Sequence, residues 1–374
     1  MKLNSIQFLR AVAALLVVYD HSLLVQMGYG ISWQQHFLHL NKFGCIGVDL
    51  FFVISGFIIT LIANTYSGTS QGIHFLAKRF WRINPIYYIL SLIFLPIILL
   101  KPGNLALSSD LNIHSIVDTL LILPTTSNIN DYTPLLRLGW TLSFEWLFYL
   151  LFFVLIVCKV RHKELYLMGI IAILVFFRYL IHPHYFRLEF ITNPILLEFL
   201  LGCIISNIYL TVEKIPADTG FICLIIGVAA YFYLIIFGFG FIYYYGTTLN
   251  GHLSLDRFIL WGIPSSLIVA GCVILEKNGQ LTRLWNNPFI VLCGDTSFSI
   301  YLVHTIVYNL LMLLYKQTGY FLPADLMIWL QVIIAVAVSI FFYKLVEKPL
   351  LQYTYRNWLW TPGPFSKKVV KAGL

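Results

Sequence analysis

The sequence predicts an all-α, polytopic membrane protein, with about ten transmembrane helices around a central cavity and both termini in the cytoplasm. Three observations carry that class. Hydrophobic residues fill 59% of the 374 positions and charged residues only 11%, against about 25% in soluble domains, and mean hydropathy is +0.83. Apolar stretches near the ~20 residues that a spanning helix needs recur along the whole chain. Lys and Arg are unequally shared between the segments joining those stretches: with the termini inside, sixteen fall inside and seven outside. Cytoplasmic loops carry that excess. It also accounts for the net charge of +8, which needs no nucleic-acid partner.

The stretches are 5–27, 44–64, 85–100, 139–157, 164–181, 190–210, 220–243, 258–275, 297–315 and 326–346. They read as one integral-membrane domain, 1–350, followed by a basic cytoplasmic tail, 351–374, holding Arg356, Lys367, Lys368 and Lys371. The first stretch has ionisable groups in mid-helix and no small-residue cleavage signal, which predicts a retained helix rather than a signal peptide. Cys45, Cys158, Cys203, Cys223, Cys272 and Cys293 form no CxxC pair, and most lie in apolar runs. Reduced, buried thiols and no metal site are expected.

In chain order, the first span carries Arg10, Asp20 and His21. A charge near mid-membrane costs about 2.5–3.5 kcal/mol on insertion scales, so such residues face a protein interior or a wet cavity. Arg10 and His21 are eleven residues apart, which puts both on one helix face about 16 Å apart. The second span holds Asp49 and the small residues Gly47, Ser55 and Gly56, expected to let it approach its neighbours closely. Residues 71–84 mix aromatics with Lys78, Arg79 and Arg82 just before Pro85, which predicts an interfacial amphipathic helix ahead of the third span.

A long outer loop follows at 101–138, with Pro102, Pro124 and Pro134. Its apolar patch, Ile116 to Leu123, is too short to span and suits a re-entrant or surface helix. The fourth span enters from outside with Glu145 six residues in and Ser143 beside it. Glu198 in the sixth reads as a packing feature, whereas Tyr301 and His304 in the ninth lie about a turn apart and can line one passage. The other spans are identified by length and hydropathy alone.

Counting 1.5 Å per residue from the span ends puts Asp20, His21, Asp49 and Glu145 on one outward level, with Arg10, Lys78, Arg79 and Arg82 in the inner half. The expectation is a passage with an acid–base centre near the outside and a basic mouth at the cytoplasm.

These residues carry a resemblance. RAVAALLVVYDH at 10–21, GVDLFFVISGFIIT at 47–60, KRFWRINPIYY at 78–88, GWTLSFEWLFYLLF at 139–152 and SFSIYLVHT at 297–305 occur in this order. The chain resembles the integral-membrane acyltransferase family 3, the sugar O-acyltransferases, and within it the exopolysaccharide (succinoglycan-type) O-acetyltransferases. The first motif corresponds to the family's Arg-x10-His and the third to its Arg-x-x-Arg-x-x-Pro. Many relatives carry two adjacent carboxylates where this chain has Glu145–Trp146, a departure shared with the polysaccharide-acetylating subset. The chain also ends soon after its tenth span, without the extracytoplasmic hydrolase-like domain fused to some members.

The resemblance implies transfer of an acyl group, usually acetyl from acetyl-CoA, to a sugar hydroxyl at the cell inner membrane. A hydroxyl is a poor nucleophile at neutral pH and needs a base; a histidine steadied by a carboxylate supplies one. His21, Glu145 and Arg10 are the candidate catalytic residues, with Glu145 the partner of His21, since Asp20 points about 100° away on the same helix. Direct attack with His21 as base is the preferred route and a transient acyl-histidine the alternative. Arg79, Arg82 and Lys78 are candidates for the donor phosphates, with Tyr301 and His304 along the same passage. Asp49, Asp20, Ser143 and Trp140 are candidates for the acceptor, a free, lipid-linked or polymeric carbohydrate. Membrane lipids are the other expected partner.

Buried Asp, Glu and His among ten spans also fit a proton-coupled transporter or a flippase of a lipid-linked saccharide. Such proteins often show inverted repeats, and no corresponding halves are visible here. A non-catalytic assembly subunit of an envelope polysaccharide complex is a third reading.

Overall fold

A computed structural model describes residues 3–28, 31, 44, 46–100, 111–122, 134–183, 185–237, 248–249, 251–319 and 322–357. Lys2, Lys42, Cys45, Lys101, Pro102, Leu123, Pro124, Lys367, Lys368, Lys371 and the end of the seventh span lie outside these. The described residues are 84% helical with no strand. Ten of their helices are long and apolar enough to cross a membrane, so the all-α polytopic class holds.

The helices are α1 (Asn4–Gly28), α2 (Ile46–Ala63), α3 (Thr69–Leu100), α4 (Ile113–Leu121), α5 (Gly139–Val157), α6 (Lys163–Ile181), α7 (Phe186–Ile191), α8 (Leu196–Thr211) and α9 (Ala217–Ile236). They continue with α10 (Ser254–Lys277), which includes a π turn at Phe258–Gly262, then α11 (Thr282–Trp285), α12 (Pro288–Asp295) and α13 (Ser297–Thr318). The last are α14 (Ala324–Phe342), a π turn at Tyr343–Glu347, and α15 (Lys348–Asn357). Helix α15 runs through residue 350, where the sequence placed the start of the tail.

Helix α1 is the hub. It packs against α2, α10, α12, α13 and α14. Its N-terminus leaves the unsatisfied backbone donors of any helix start. Glu276 on α10 takes two of them, accepting from Asn4 N at 2.8 Å and Ser5 N at 2.9 Å. A carboxylate there also complements the helix dipole.

Small residues set the closest crossings, as the sequence predicts for Gly47 and Gly56. A Cβ on Gly47 would lie 2.5 Å from the Ala13 carbonyl oxygen of α1. One on Gly56 would lie 2.0 Å from the Phe199 carbonyl oxygen of α8, and Gly202 answers with 2.1 Å to Val53 O. Backbones at this distance have no room for a methyl group.

One boundary differs from expectation. The interfacial segment 71–84 and the third span form a single helix, α3, of 32 residues with Pro85 and Pro96 inside it. Proline removes one backbone hydrogen bond, but neighbouring helices tolerate the break in a membrane bundle. Arg79 and Arg82 thereby continue the face of a spanning helix instead of lying on the surface. The patch in the 101–138 loop forms α4, opened by a capping box in which Asn112 Oδ1 accepts from Ser115 N at 2.7 Å. Among the described cysteines, Cys203, Cys272 and Cys293 are buried thiols, Cys223 is half-buried and Cys158 is exposed.

Candidate active site

A cavity opens between α1, α2, α3, α5 and α13. Arg10, Arg79 and Arg82 line it, faced by Ser55, Glu145 and Tyr149. Arg79 and Arg82 are three residues apart on α3, so both turn to the same side. Arg79 stands over the rings of Phe75 and Tyr149, with its guanidinium carbon 5.7 and 5.8 Å from their centroids. Its Nε is buried without a hydrogen-bond partner. Glu145 Oε1 accepts from Ser55 Oγ at 3.2 Å and from the Tyr149 hydroxyl. Ser55, read from the sequence only as a packing residue, is therefore a lining residue. Lys78 does not line the cavity. It sits about 100° around α3 from Arg79, and its Nζ donates to the Tyr66 hydroxyl at 3.2 Å.

Tyr301 leads from this cavity toward His21. It lines the cavity, shares a hydrogen bond with Thr141 Oγ1 at 2.8 Å and donates to Leu138 O at 3.3 Å. One turn further along α13, His304 is fully buried. Its Nδ1 lies 2.9 Å from the Ile300 carbonyl oxygen and its Nε2 lies 2.8 Å from His21 Nδ1. The two imidazoles meet edge to edge through this contact, nearly coplanar, with centroids 5.1 Å apart and planes inclined by 18°. Tyr308, next on the same face, donates to Val18 O at 2.8 Å and fixes the register of α13 against α1. His21 itself is half-buried.

Several sequence-derived partnerships come out differently. Glu145 is not on the level of His21 but in the cavity with Arg10. The reason is where α5 begins: its first turn is held at Tyr301, about 4.5 Å short of His304 along α13, and Glu145 is a further turn beyond Thr141. Counting from the end of the apolar stretch assumed that all helices start in one plane. His304 stands beside His21 and is not a cavity wall.

Asp49, expected to meet the acceptor, is buried with both oxygens on Arg257: Nε to Oδ1 and Nη2 to Oδ2, each at 2.8 Å. Asp20, 1% exposed, packs under Gly44, whose added Cβ would fall 2.2 Å from that of Asp20. Ser143 is buried and donates back to Gly139 O at 3.3 Å. Trp140 packs edge-on against Phe52 and Phe144, with centroids 6.2 and 6.1 Å away. These four support the site's walls more than they open onto it.

The arrangement offers a basic, partly aromatic chamber at one end and an imidazole pair at the other. Comparison with known proteins gives that chemistry a family. A family model described as an acyltransferase domain (acyltransferase family 3) matches residues 3–344. "Exopolysaccharide production protein ExoZ" of Rhizobium meliloti (strain 1021) is 29% identical over 316 residues, covering 84% of this chain and 92% of that protein. "Putative O-acetyltransferase SACOL0978" of Staphylococcus aureus (strain COL) is 26% identical over 358 residues, covering 87% of this chain. The match spans only 56% of the staphylococcal protein. No solved structure matches the chain. The chain, with ten helices long and apolar enough to cross a membrane, is an acyltransferase belonging to acyltransferase family 3.

Proposed function

We propose that this enzyme moves an acetyl group from cytoplasmic acetyl-CoA to a sugar hydroxyl of an exported or cell-envelope polysaccharide, with His21 as general base and both chain termini on the cytoplasmic face of the inner membrane. The observation that carries the reading is the grouping of Arg10, Arg79 and Arg82 on one cavity that Tyr301 joins to the His21–His304 pair. The resemblance to an exopolysaccharide production protein supports the acceptor class.

The residues fit a phosphorylated donor. Three guanidinium groups face one chamber, and Arg79 Nε is a buried donor with no acceptor, which a phosphate oxygen would satisfy. Acetyl-CoA supplies the thioester carbonyl, an acyl group activated for transfer. Arg79 and Arg82 hold the phosphate-bearing end, and Arg10 steers the remainder toward Tyr301. Glu145, hydrogen-bonded to Ser55 and Tyr149, balances the cations and keeps the chamber polar. At the far end, His21 takes the proton from the acceptor hydroxyl as its oxygen bonds to the acyl carbon. The carbon–sulfur bond breaks, and the leaving sulfur receives the proton back from His21.

Purified protein in nanodiscs, given radiolabelled acetyl-CoA and an oligosaccharide acceptor, tests this. Label should pass to the acceptor with wild type and not with a folded His21→Ala variant. Uptake or flipping of saccharide in proteoliposomes, with no acyl transfer, would reject the enzyme reading in favour of transport. Preferential use of succinyl-CoA would keep the mechanism and change the donor.

A further inference from the structure

A general base works through one nitrogen, and a neutral imidazole has its lone pair on only one of two. Which of the two it is in His21 follows from a chain of three groups. The Ile300 carbonyl oxygen can only accept, so the neutral His304 ring facing it at 2.9 Å carries its hydrogen on Nδ1. That leaves His304 Nε2 as an acceptor. The atom 2.8 Å from it, His21 Nδ1, must then be the donor. The remaining nitrogen of His21, Nε2, holds the lone pair.

We infer that His304 is a positioning residue for acyl transfer: it fixes His21 in the Nδ1–H tautomer and presents Nε2 as the atom that takes the acceptor's proton. This rests on the proposed role of His21 as base. The partner is neutral, and the site explains why. A carboxylate in the place of His304 would be a charge deep among helices, which is expensive without a paired cation. The carboxylates of the site are placed elsewhere, Glu145 on Ser55 and Tyr149, Asp49 on Arg257. Backbone takes the role that an acid has in other base–orienter pairs. The Ile300 carbonyl belongs to the turn of α13 just before His304, so the orienting acceptor moves with the residue it orients. The near-coplanar, edge-to-edge hydrogen bond between the two rings restricts rotation of His21 about its side-chain bonds, and the Tyr308–Val18 bond holds the two helices at the required height.

In the step itself, the acceptor O–H proton passes to His21 Nε2 while the oxygen bonds to the acyl carbon. The carbon–sulfur bond breaks, the electron pair goes to sulfur, and the proton on Nε2 follows it. The Nδ1–H of His21 stays on His21 and hydrogen-bonded to His304 Nε2 throughout.

The test uses two substitutions and one spectrum. In His304→Gln the side-chain Oε1 falls near the original Nε2 and can still accept from His21 Nδ1; in His304→Phe nothing can. The expected result is that Gln keeps kcat within about tenfold, whereas Phe lowers it by about 10²–10⁴-fold, the usual worth of a positioned base, with KM for donor and acceptor nearly unchanged. Equal losses in both variants, or wild-type kcat in His304→Phe, would overturn the inference. Nitrogen-15 NMR of histidine-labelled protein, with the His21 signals identified by difference against His21→Gln, reads the tautomer without turnover. A protonated Nδ1 and bare Nε2 support the inference; the reverse rejects it. Absence of acyl transfer by the wild-type protein would reject the proposed function and leave the tautomer to be decided by the spectrum.

Discussion

Arg257 closes on Asp49 with two parallel hydrogen bonds of 2.8 Å, and both side chains are buried. The pair joins α10 to the start of α2, directly before the π turn at Phe258–Gly262. A bidentate pair of this kind adds little when compared with apolar residues, yet removing one partner strands a buried charge and costs about 3–5 kcal/mol. Arg257→Ala should therefore lower the melting temperature in detergent sharply, and Asp49→Ala combined with it should recover part of the loss. Equal melting of Arg257→Ala and wild type would show that the pair is not structural.

The α2–α8 crossing gives a second expectation. Gly56 and Gly202 leave their backbones no space for a side chain, and the obstructing atoms are main-chain oxygens that cannot turn aside. Gly202→Leu should prevent close packing and reduce the yield of monodisperse protein. Gly169, with nothing within 4 Å of an added Cβ, is the matched control, and Gly169→Leu should behave as wild type. Fluorescence-detected size exclusion reports both.

Glu276 tests the anchoring of the helix that carries Arg10 and His21. Loss of two charge-assisted bonds to Asn4 N and Ser5 N in Glu276→Ala should cost about 1–2 kcal/mol. Because these bonds hold the end of α1 nearest Arg10, hydrogen exchange should rise at residues 4–8 well before it rises around His21. Uniform protection along α1 in the variant would contradict the capping role.

Donor binding separates three cations that are close in sequence. Arg79→Ala and Arg82→Ala should each raise the donor KM more than they lower kcat, by tenfold or more for Arg79, whose Nε is left without a partner inside the protein. Lys78→Ala should change the donor KM by less than twofold, since Lys78 faces Tyr66 outside the chamber. A kcat loss at unaltered donor affinity in the arginine variants would remove the phosphate role.

What was legible in the sequence and what was not divide along a physical line. Positions fixed by one helix's own periodicity were readable: Arg10 and His21 share a face of α1, and Arg79 and Arg82 share one of α3. Tyr301 lies one turn from His304, and all but Lys78 of the basic group reach one cavity. Hydropathy placed the ten spans because lipid dictates their length and composition. Pairings between helices were not readable. His21 with His304, and Asp49 with Arg257, depend on where each helix starts and at what height it crosses its neighbour. No spacing within one segment encodes that. Glu145 shows the error most clearly: its helix starts at Tyr301, so counting from the membrane edge put it beside the wrong partner. Pro85 misled for a related reason, since it marks a boundary in water but only an interruption in a helix held by its neighbours.

The separation between the two ends of the site yields the last prediction. His21 is not among the residues that line the basic chamber, and about 16 Å of α1 lies between it and Arg10. Between its imidazole and the phosphate-bearing end stand Tyr301 and Thr141, which are fixed by their own hydrogen bonds. Removing it should leave the donor's grip unchanged while removing the proton acceptor. His21→Ala is accordingly expected to bind CoA within about twofold of wild type by isothermal titration, and to lower acyl transfer by at least 10²-fold, the usual contribution of a positioned base. If turnover were unchanged, another group would have to accept the proton. If CoA affinity instead fell together with turnover, His21 would belong to the donor chamber, and the two-ended arrangement would fail with it.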